Sequence, residues 1–549
     1  MKEYQKPIAV IIFCLIFTTL FIRNVKNDFP LIFSKDLLAH DESSNSVVAA
    51  NVTRKFFPPM VRVNPLVENQ GNWMEGPYWQ HIPPLFAYVP YIFFQLDGQV
   101  TIEVKRLSFA FVTLLTGLLF IFGVYNYRKS LLAALAATTA AIFWINTPFT
   151  RELITGYAFG VSDIVLAFTV VASFVAILWY LRAEREERRG YSYWKLAVIA
   201  FIVATPILAK NLLGAIPAAT FLGLLVFDHR ALNKKVVFSA TVFISVVFAY
   251  MFSLYLSSSE TFKKEVLVSF SHFSQLEGWA RPWHWYLTNY LPQRYLFGWT
   301  WVFYIGLTLA IGLRIRDLKY KSLWLSGIWF IWNLVAISLV TSKVPNFIYQ
   351  SYLLCLFFIV YSLILLVTTP DSIRGPLLLL KPKDNRVTGW ILGTVLITCV
   401  LVTGNELVQF VQQFKLQRAL AYNYSSEREK FYGAAEAMRS AGVNSKDLVI
   451  VHVSDNDCWA RYPIIFLTGA EAKTFLEMHF ITITYESIKQ KYPKIYFLDK
   501  NYSFLEFDIA TLESLLDQNK DEIQKHISRI KVDKTSCQWL VPDEILNAQ

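Results

Sequence analysis

The sequence predicts a polytopic α-helical membrane protein with a small soluble α/β domain at its C-terminal end. Of its 549 residues, 54% are hydrophobic and only 17% are charged, and the mean hydropathy is +0.38. A soluble chain usually has about a quarter of its residues charged and less than half of them apolar. The composition therefore excludes an intrinsically disordered chain, a collagen-like repeat and a small disulfide scaffold.

Eleven apolar runs are candidates for membrane spans, because a helix that crosses a bilayer needs about 20 mostly apolar residues. The basic stretch Arg23-Asn24-Val25-Lys26 follows the first run where a signal peptide would have its cleavage site, so this run too is interpreted as a span. The runs are Ile8–Ile22, Leu107–Tyr125, Leu131–Thr147, Ile164–Leu181, Leu196–Ala209, Leu212–Phe227, Val236–Leu256, Tyr295–Leu313, Leu323–Thr341, Phe347–Thr368 and Trp390–Leu407.

A further apolar run, Ile82–Leu96, is short and contains Pro83, Pro84 and Pro90. The positive-inside rule decides its interpretation, because basic residues concentrate in cytoplasmic loops. If this run lies along the membrane interface, alternate loops sort cleanly into a basic set and a set that is poor in basic residues. We therefore expect a juxtamembrane helix here, a cytoplasmic N-terminus and an exoplasmic C-terminal segment.

The formal charge of +11 follows from the same topology. The N-terminal tail and the five predicted cytoplasmic loops carry a net charge of +12, the outside loops and spans carry +1, and residues 415–549 carry −2. The basic excess therefore reports orientation in the membrane, and we predict no nucleic-acid partner.

The predicted domains are a transmembrane module over residues 1–415 and a soluble exoplasmic α/β domain over residues 416–549. Two large loops of the transmembrane module, residues 28–103 and 257–294, face the same side as the soluble domain. In the soluble domain, two apolar segments bounded by helical patterns are typical of buried strands. They are Leu448–Val451 and Ile495–Leu498.

Ionisable residues at membrane depth, or just outside it, are costly and indicate function. Each also has a structural alternative, since carboxylates cap helices, lysines anchor at interfaces and tryptophans form aromatic belts. Their convergence on one face from distant segments nevertheless favours a site. The residues are Asp41, Glu42, Arg151, Asp163, Lys210 and Lys343, with Arg281, Trp283, Trp285 and Tyr286 in one outer loop.

This combination suits the transfer of a group from a lipid-linked phosphate. Lysine or arginine stabilises the charge of a phosphate leaving group, and a carboxylate beside an acceptor hydroxyl removes its proton during attack. Aromatic planes suit the faces of sugar rings and the head of a polyprenyl chain. The sequence contains no P-loop, dinucleotide GxGxxG or HExxH motif that would indicate a soluble cofactor or a zinc peptidase.

Seven short motifs carry a resemblance to a known family. They are His40-Asp41-Glu42, His81-Ile82-Pro83-Pro84-Leu85, Arg106-Leu107, Ser162-Asp163, Leu208-Ala209-Lys210, Arg281-Pro282-Trp283-His284-Trp285-Tyr286 and Ser342-Lys343-Val344-Pro345. Their order resembles that in the membrane glycosyltransferases of the GT-C superfamily, in the branch of the lipid A aminoarabinose transferase and the protein O-mannosyltransferases. The resemblance extends over about residues 1–415, and the placement of the soluble domain is also similar.

The resemblance implies an inverting transfer from a polyprenyl-phosphate sugar to a lipid, glycan or protein acceptor. The reaction would take place on the exoplasmic face of the plasma (inner) membrane, where membrane lipids surround the chain. Asp41 would be the base that activates the acceptor, Glu42 would support it, and Asp163 would be the second acid.

The same resemblance assigns the remaining candidates to the substrates. His81-Ile82 stands where the family often has Glu-Lys before Pro-Pro, so phosphate recognition must differ, and His81 could supply charge or a metal ligand. The candidates for the lipid phosphate or donor are Lys210, Lys343, Arg281, His81 and Arg151, and those for aromatic contacts are Trp283, Trp285 and Tyr286.

A polytopic receptor or assembly subunit gives no reason for an acidic residue in each of the first two outside loops. Two further alternatives stay open at this point. A transporter or flippase of lipid-linked sugars should have inverted repeats or charges near span centres, and the sequence has neither. A glycan polymerase or ligase shares the lipid-linked donor and the outer-face site. The sequence leaves undecided the sugar, the acceptor, a divalent metal, the oligomeric state and whether Cys458 pairs with Cys537.

Overall fold

A computed structural model describes most of the chain. The described residues are 5–32, 40–66, 78–79, 83–154, 162–186, 192–229, 234–263, 281–296, 300–314, 321–341, 343, 345–368, 429–452, 461–480, 484–518, 520–521 and 524. The chain divides into two compact units. Unit 1 is Met1–Ile32, Phe109–Ser253 and Val266–Ala419, and unit 2 is Phe33–Ser108, Leu254–Glu265 and Leu420–Gln549. Unit 2 thus includes a segment before residue 109, and the predicted division at residue 415 stays a prediction.

Helices dominate the described chain. The first ten are α1 (Gln5–Ile32), α2 (His40–Arg54), α3 (Leu85–Asp97), α4 (Ile102–Arg128), α5 (Leu131–Asn146), α6 (Pro148–Ile154), α7 (Ser162–Glu186), α8 (Tyr193–Lys210), α9 (Ala215–His229) and α10 (Lys234–Ser257). They are followed by α11 (259–263), α12 (Thr300–Arg314), α13 (Lys321–Leu339), α14 (Tyr349–Thr368), α15 (429–440), α16 (Tyr462–Thr468), α17 (Phe475–Phe480), α18 (Tyr485–Lys491) and α19 (Ile509–Gln518). Asn211–Gly214 and Pro345–Ile348 are 3-10 turns, and Tyr286–Leu296 is a π-helix.

The apolar helices make the chain a multi-pass membrane protein. Five of the described helices, α1, α4, α7, α8 and α10, are long and apolar enough to cross a membrane. A sixth span results if α5 and α6, which meet at a 66° bend, are counted as one broken helix. Described helices coincide with every predicted run except Trp390–Leu407, which lies outside the described residues. The count of eleven spans and the orientation of the termini stay predictions.

Small side chains let the helices of unit 1 approach one another closely. The alanines of α5 are buried, and this helix packs against α1 and α14. A Cβ at Gly117 of α4 would lie 2.1 Å from the ring of Phe17 in α1. A Cβ at Gly123 would lie 2.4 Å from Val175 in α7. Close van der Waals contact of this kind holds helices together where no water is present to drive their association.

The run Ile82–Leu96, which the sequence predicts to be a juxtamembrane helix, coincides with helix α3 in unit 2. Pro83 and Pro84 precede the helix, where their missing amide hydrogens cost no helical hydrogen bond, while Pro90 lies inside it. Gly98 ends the helix with φ of 76°, and its amide donates to the carbonyl oxygen of Phe94. The helix is therefore bounded by its own sequence, and its position at the membrane interface stays a prediction.

Unit 2 contains a four-stranded sheet in the order β2-β1-β3-β4. The central strand β1 (Leu448–Val451) pairs in parallel with β2 (Glu471–Thr474) and with β3 (Ile495–Leu498), and β4 (Phe504–Phe507) is antiparallel to β3. Helices connect the parallel strands, as crossover geometry requires. Strands β1 and β3 have the bounds that the sequence predicted, because both are continuous apolar runs; all of β1 is buried, and so is β3 except for the half-buried Phe497.

Helix α2 is anchored to the sheet region of unit 2 through its last turn. The Arg54 guanidinium donates to the carbonyl oxygens of Phe466 at 2.9 Å and Leu467 at 3.1 Å, at the C-terminal end of α16. A cation suits this position, since the carbonyls there have no helical partner. Desolvation, with a smaller contribution from the charge of Arg439, lowers the pKa of Arg54 to about 10. The helix that begins with His40-Asp41-Glu42 is therefore fixed at its opposite end.

Candidate active site

Asp163 and Lys210 form a buried ion pair between α7 and α8. The Lys210 ammonium lies 2.6 Å from Oδ1 of Asp163, and the lysine and aspartate side chains are only 11% and 1% exposed. Asp163 is in the first turn of α7 and Lys210 in the last turn of α8, so each charge lies at the helix end whose dipole it complements. Loss of either partner would leave an uncompensated buried charge. The structure thus brings two predicted site residues into direct contact.

A close backbone contact holds the turn that follows Lys210. Helix α8 contains Pro206, and the chain leaves the helix through the turn Asn211–Gly214. A Cβ at Gly214 would lie 2.1 Å from both the carbonyl carbon and the carbonyl oxygen of Pro206, so a side chain does not fit there. Gly214 therefore fixes the direction in which the chain turns away from Lys210.

Lys343 is a buried cation in the loop between α13 and the turn Pro345–Ile348. It is 2% exposed, and its ammonium donates to the carbonyl oxygen of Val340. The Tyr290 hydroxyl donates to the Lys343 carbonyl oxygen at 2.9 Å, which ties this loop to the π-helix. Among the described residues, no carboxylate lies within ion-pair distance of the ammonium. Burial lowers the pKa of Lys343, because the charged form lacks the hydration it would have in water.

Phe347 connects the two lysines. The Lys210 ammonium lies 5.5 Å from the centroid of the Phe347 ring, which is the range of a cation–π contact. Phe347 belongs to the turn that begins two residues after Lys343. The ion pair and the Lys343 loop are therefore neighbours, although they are far apart in the sequence.

Aromatic rings form a wall beside the acid of the ion pair. Tyr295 and Tyr349 are both buried and lie close enough to Asp163 for its charge to act on their hydroxyls. The ring of Phe149 contacts both tyrosines, with centroid distances of 5.1 Å and 5.5 Å. Trp144 stacks on Tyr349 at 5.5 Å. This wall limits water around Asp163 and strengthens its attraction to Lys210.

The predicted outer loop divides into an exposed and a buried part. Trp283 is 68% exposed, and Arg281 is also exposed, with its guanidinium carbon 5.5 Å from the centroid of the Trp285 ring. Tyr286 is fully buried and contacts the ring of Tyr290 at 5.6 Å. Arg281 and Trp283 are therefore accessible to a ligand, whereas Tyr286 acts as a packing residue.

Arg151 is engaged in a two-point ion pair with Asp28. Its Nε donates to Oδ2 of Asp28 at 2.9 Å, and its Nη2 donates to Oδ1. The pair joins α6, beyond the 66° bend, to the last turns of α1. The charge of Arg151 is thus already compensated, which makes it a weaker candidate for a donor phosphate than Lys343.

The structure does not describe the side chains of three predicted site residues. Asp41 and Glu42 lie in the first turn of α2, in unit 2, but their side chains are outside the described part of the chain. His81 lies outside the described residues altogether, as do Cys458 and Cys537. In the part of the chain that the structure describes, no group of three or more His, Cys, Asp or Glu residues could hold a metal ion.

Comparison with solved structures identifies the fold. ArnT from Cupriavidus metallidurans bound to undecaprenyl phosphate matches with a TM-score of 0.53 at 14% identity, over 85% of each chain. Its apo structure matches with a TM-score of 0.52 at 14% identity, over 90% of this chain and 93% of that one. The chain has the GT-C fold.

An archaeal oligosaccharyltransferase also matches the chain, with a lower TM-score. The apo oligosaccharyltransferase from Archaeoglobus fulgidus matches at 14% identity with a TM-score of 0.47, over 86% of this chain and 64% of that one. No protein-family model and no curated protein sequence matches the chain. The resemblance that the sequence motifs indicated is thus confirmed at the level of the fold, and the roles of the individual site residues stay predictions.

Several neighbours of the site were not predicted from the sequence. Asp28, Tyr295 and Tyr349 were missed because their partners are more than a hundred residues away in the chain. Asn333 and Gln350 were also missed, although an amide inside an apolar helix is itself a signal. Both are buried and lie beside the turns that follow the two lysines.

Proposed function

We propose that the chain is an integral-membrane glycosyltransferase that uses a polyprenyl-phosphate sugar as donor. The sugar is transferred to a lipid, glycan or protein acceptor on the exoplasmic face of the plasma (inner) membrane. The N-terminus is cytoplasmic, and residues 416–549 form an exoplasmic domain. The fold supports the class of reaction, since the ArnT structure that it resembles holds undecaprenyl phosphate.

The buried Lys343 ammonium is the observation that carries this proposal. A buried cation is costly unless an anion compensates it, and the described residues around Lys343 supply only a carbonyl oxygen. The phosphate of a lipid-linked donor is an anion at the membrane surface and fits this position. The charges of Lys210 and Arg151 are already met by Asp163 and Asp28, so Lys343 is the primary phosphate residue.

The reaction is a displacement at the anomeric carbon of the sugar. The oxygen of the acceptor hydroxyl forms a bond to this carbon, and the bond from the carbon to the phosphate oxygen breaks. The electron pair leaves with the polyprenyl phosphate, and the hydroxyl proton passes to the carboxylate of Asp41. Attack opposite the leaving phosphate inverts the configuration. Lys343 stabilises the charge that develops on the phosphate as the bond breaks.

Asp163 and Lys210 act as a unit in this scheme. Asp163 holds the Lys210 ammonium at the end of α8, and the ammonium can turn part of its hydrogen-bonding capacity to a phosphate oxygen. Arg281 and Trp283 are exposed in the outer loop and would meet the incoming donor or acceptor. Glu42 supports Asp41 in this scheme.

The proposed base is tested by an Asp41→Asn variant. Purified protein is reconstituted in vesicles with a panel of polyprenyl-phosphate sugars and a cell-envelope extract as the source of acceptor. We expect wild-type protein to transfer radiolabelled sugar and Asp41→Asn to lose transfer by at least about a hundredfold, because the hydroxyl proton has no acceptor. Expression and thermal unfolding of the variant should match those of the wild type.

Two outcomes would contradict the proposal at different levels. Near-normal transfer by Asp41→Asn would remove Asp41 as the base but keep the reaction. Movement of the lipid-linked sugar across the vesicle membrane without its consumption would replace the transferase with a flippase.

A further inference from the structure

Two amide side chains are buried among the apolar helices next to the turns Asn211–Gly214 and Pro345–Ile348, which follow Lys210 and Lys343. Asn333 of α13 is 1% exposed and Gln350 of α14 is 3% exposed. Asn333 Nδ2 donates to the carbonyl oxygen of Phe347 at 2.9 Å and to the Ser351 hydroxyl at 3.0 Å. These two acceptors fix the orientation of the Asn333 amide, so its Oδ1 faces Gln350 and accepts from Gln350 Nε2 at 3.0 Å.

The amide pair contacts both turns that follow a lysine in the sequence. Asn333 holds the Phe347 carbonyl in the turn after Lys343, and the ring of Phe347 lies against the Lys210 ammonium. Gln350 Nε2 also reaches the carbonyl oxygen of Leu213, in the turn after Lys210, at 3.5 Å. One short chain of hydrogen bonds therefore links the two turns through the helices behind them.

Stability alone does not explain this arrangement. Gln350 Oε1 is buried and has no hydrogen-bond partner among the described residues. A buried acceptor without a donor costs about 1–3 kcal/mol, and an apolar pair of similar size would avoid this cost. A polar pair that is retained at such a cost indicates a requirement other than packing.

We infer that Asn333 and Gln350 are positioning residues that set the spacing of Lys210 and Lys343 for one phosphate group. The inference rests on the proposed function, because that function assigns the lysines to the donor phosphate. Two ammonium groups bind one phosphate well only when both are held at hydrogen-bonding distance from it, and polar neighbours of the contacting residues supply such restraint. The amide pair does not touch the donor in this scheme.

Binding of undecaprenyl phosphate and of undecaprenol, which lacks the phosphate, tests the inference. Both lipids are titrated into purified wild-type protein and into Gln350→Met, whose side chain has a similar volume and no hydrogen-bonding amide. We expect Gln350→Met to weaken binding of undecaprenyl phosphate about tenfold and to leave binding of undecaprenol unchanged. Asn333→Leu, which removes the other half of the pair, should give the same pattern, and the double variant should be no worse than either single one.

Ser326→Ala is the matched control. Ser326 is buried in α13 like Asn333, but its hydroxyl donates to Leu323 of its own helix at 2.7 Å. This variant should bind both lipids as the wild type does and should show how thermal unfolding responds to the loss of a buried polar group. If the amide pair has only a structural role, its variants should bind undecaprenyl phosphate and undecaprenol more weakly by the same factor.

The possible failures are distinguishable. If wild-type protein binds undecaprenyl phosphate no better than undecaprenol, the proposed donor is wrong, and the inference falls with it. If the wild type prefers the phosphate and both Gln350→Met and Asn333→Leu keep the full preference, the proposed function survives and the positioning role is wrong. The positioning role is also wrong if the variants bind both lipids more weakly by the same factor.

Discussion

The three cationic candidates differ in whether a carboxylate compensates their charge, which is not evident from the sequence. Lys210, Arg151 and Lys343 all lie at helix ends or in short loops, and each is a candidate for the phosphate. In the structure, Lys210 pairs with Asp163 and Arg151 with Asp28, whereas the Lys343 ammonium meets a carbonyl oxygen. A hydropathy pattern contains no information about which carboxylate reaches which cation, so only the folded chain distinguishes these three residues.

The pH dependence of lipid binding should depend on Lys343. Burial lowers the pKa of this lysine, so its ammonium loses a proton at a lower pH than an exposed lysine would. The phosphate is fully ionised above about pH 7, since its second pKa is near 6. We therefore expect the affinity of wild-type protein for undecaprenyl phosphate to fall with rising pH in the alkaline range, at a lower pH than the titration of an exposed lysine would cause.

Two variants of Lys343 check the cause of this fall. Lys343→Arg keeps its charge over the whole range and should abolish the alkaline decrease. Below the pH of this fall, Lys343→Gln should bind at least about tenfold more weakly than the wild type, because a charge-assisted hydrogen bond is lost, and its own affinity should show no alkaline decrease. Binding isotherms at several pH values measure both effects. If the affinity of Lys343→Arg falls at alkaline pH as that of the wild type does, the fall is caused by another titrating group.

At the scale of elements, apolar runs predicted where helices lie better than where they begin and end. The predicted run Ile164–Leu181 is found within α7, which begins at Ser162 and continues to Glu186. Hydropathy did not predict the π-helix Tyr286–Leu296, because it mixes polar and aromatic residues. The predicted span beginning at Tyr295 overlaps the end of that helix.

Strands were predictable only where they are apolar. The continuous runs of β1 and β3 were predicted with their bounds, but β2, with the sequence Glu-Ala-Lys-Thr, was not. All four residues of β2 are buried, because Arg62 pairs with Glu471 at 2.9 Å and Lys473 contacts Glu477 at 3.2 Å. Polar strands of this kind become compatible with burial only through partners elsewhere in the chain.

The close contact in the turn between α8 and α9 predicts that adding one methyl group at Gly214 is destabilising. Gly214→Ala would place a Cβ 2.1 Å from the Pro206 carbonyl, so the turn after Lys210 must shift. Overpacking of this kind costs about 1–3 kcal/mol, and we expect a lower thermal midpoint and weaker undecaprenyl phosphate binding. Gly223→Ala in α9 is the control, because a Cβ there meets nothing within 4 Å. It should be neutral or stabilising by up to about 1 kcal/mol.

Thermal unfolding in detergent, followed by lipid titration, measures both glycine variants. Equal midpoints and equal lipid affinities for Gly214→Ala and Gly223→Ala would contradict the close contact at Pro206. If Gly214→Ala lowers the thermal midpoint but binds undecaprenyl phosphate as the wild type does, the turn contributes to stability and does not position Lys210.

At the scale of the whole molecule, the composition predicted a multi-pass membrane protein, and the order of seven motifs predicted the GT-C fold. Both were accessible from the sequence because a membrane protein must satisfy its backbone hydrogen bonds within apolar helices, which leaves a strong pattern. The division into compact units was less accessible. Phe33–Ser108 belongs to unit 2 through contacts such as that of Arg54 with α16, which join segments at opposite ends of the sequence.

The most direct test of the account is the identity of the lipid that copurifies with the protein. Mass spectrometry of the lipids released from purified wild-type protein and from Lys343→Gln identifies the headgroups. We predict polyprenyl phosphate, or its ester with a sugar, in the wild type and at least a tenfold smaller amount in Lys343→Gln. Recovery of only bulk membrane phospholipids from both proteins, after purification from membranes that contain polyprenyl phosphate, would contradict the proposed donor.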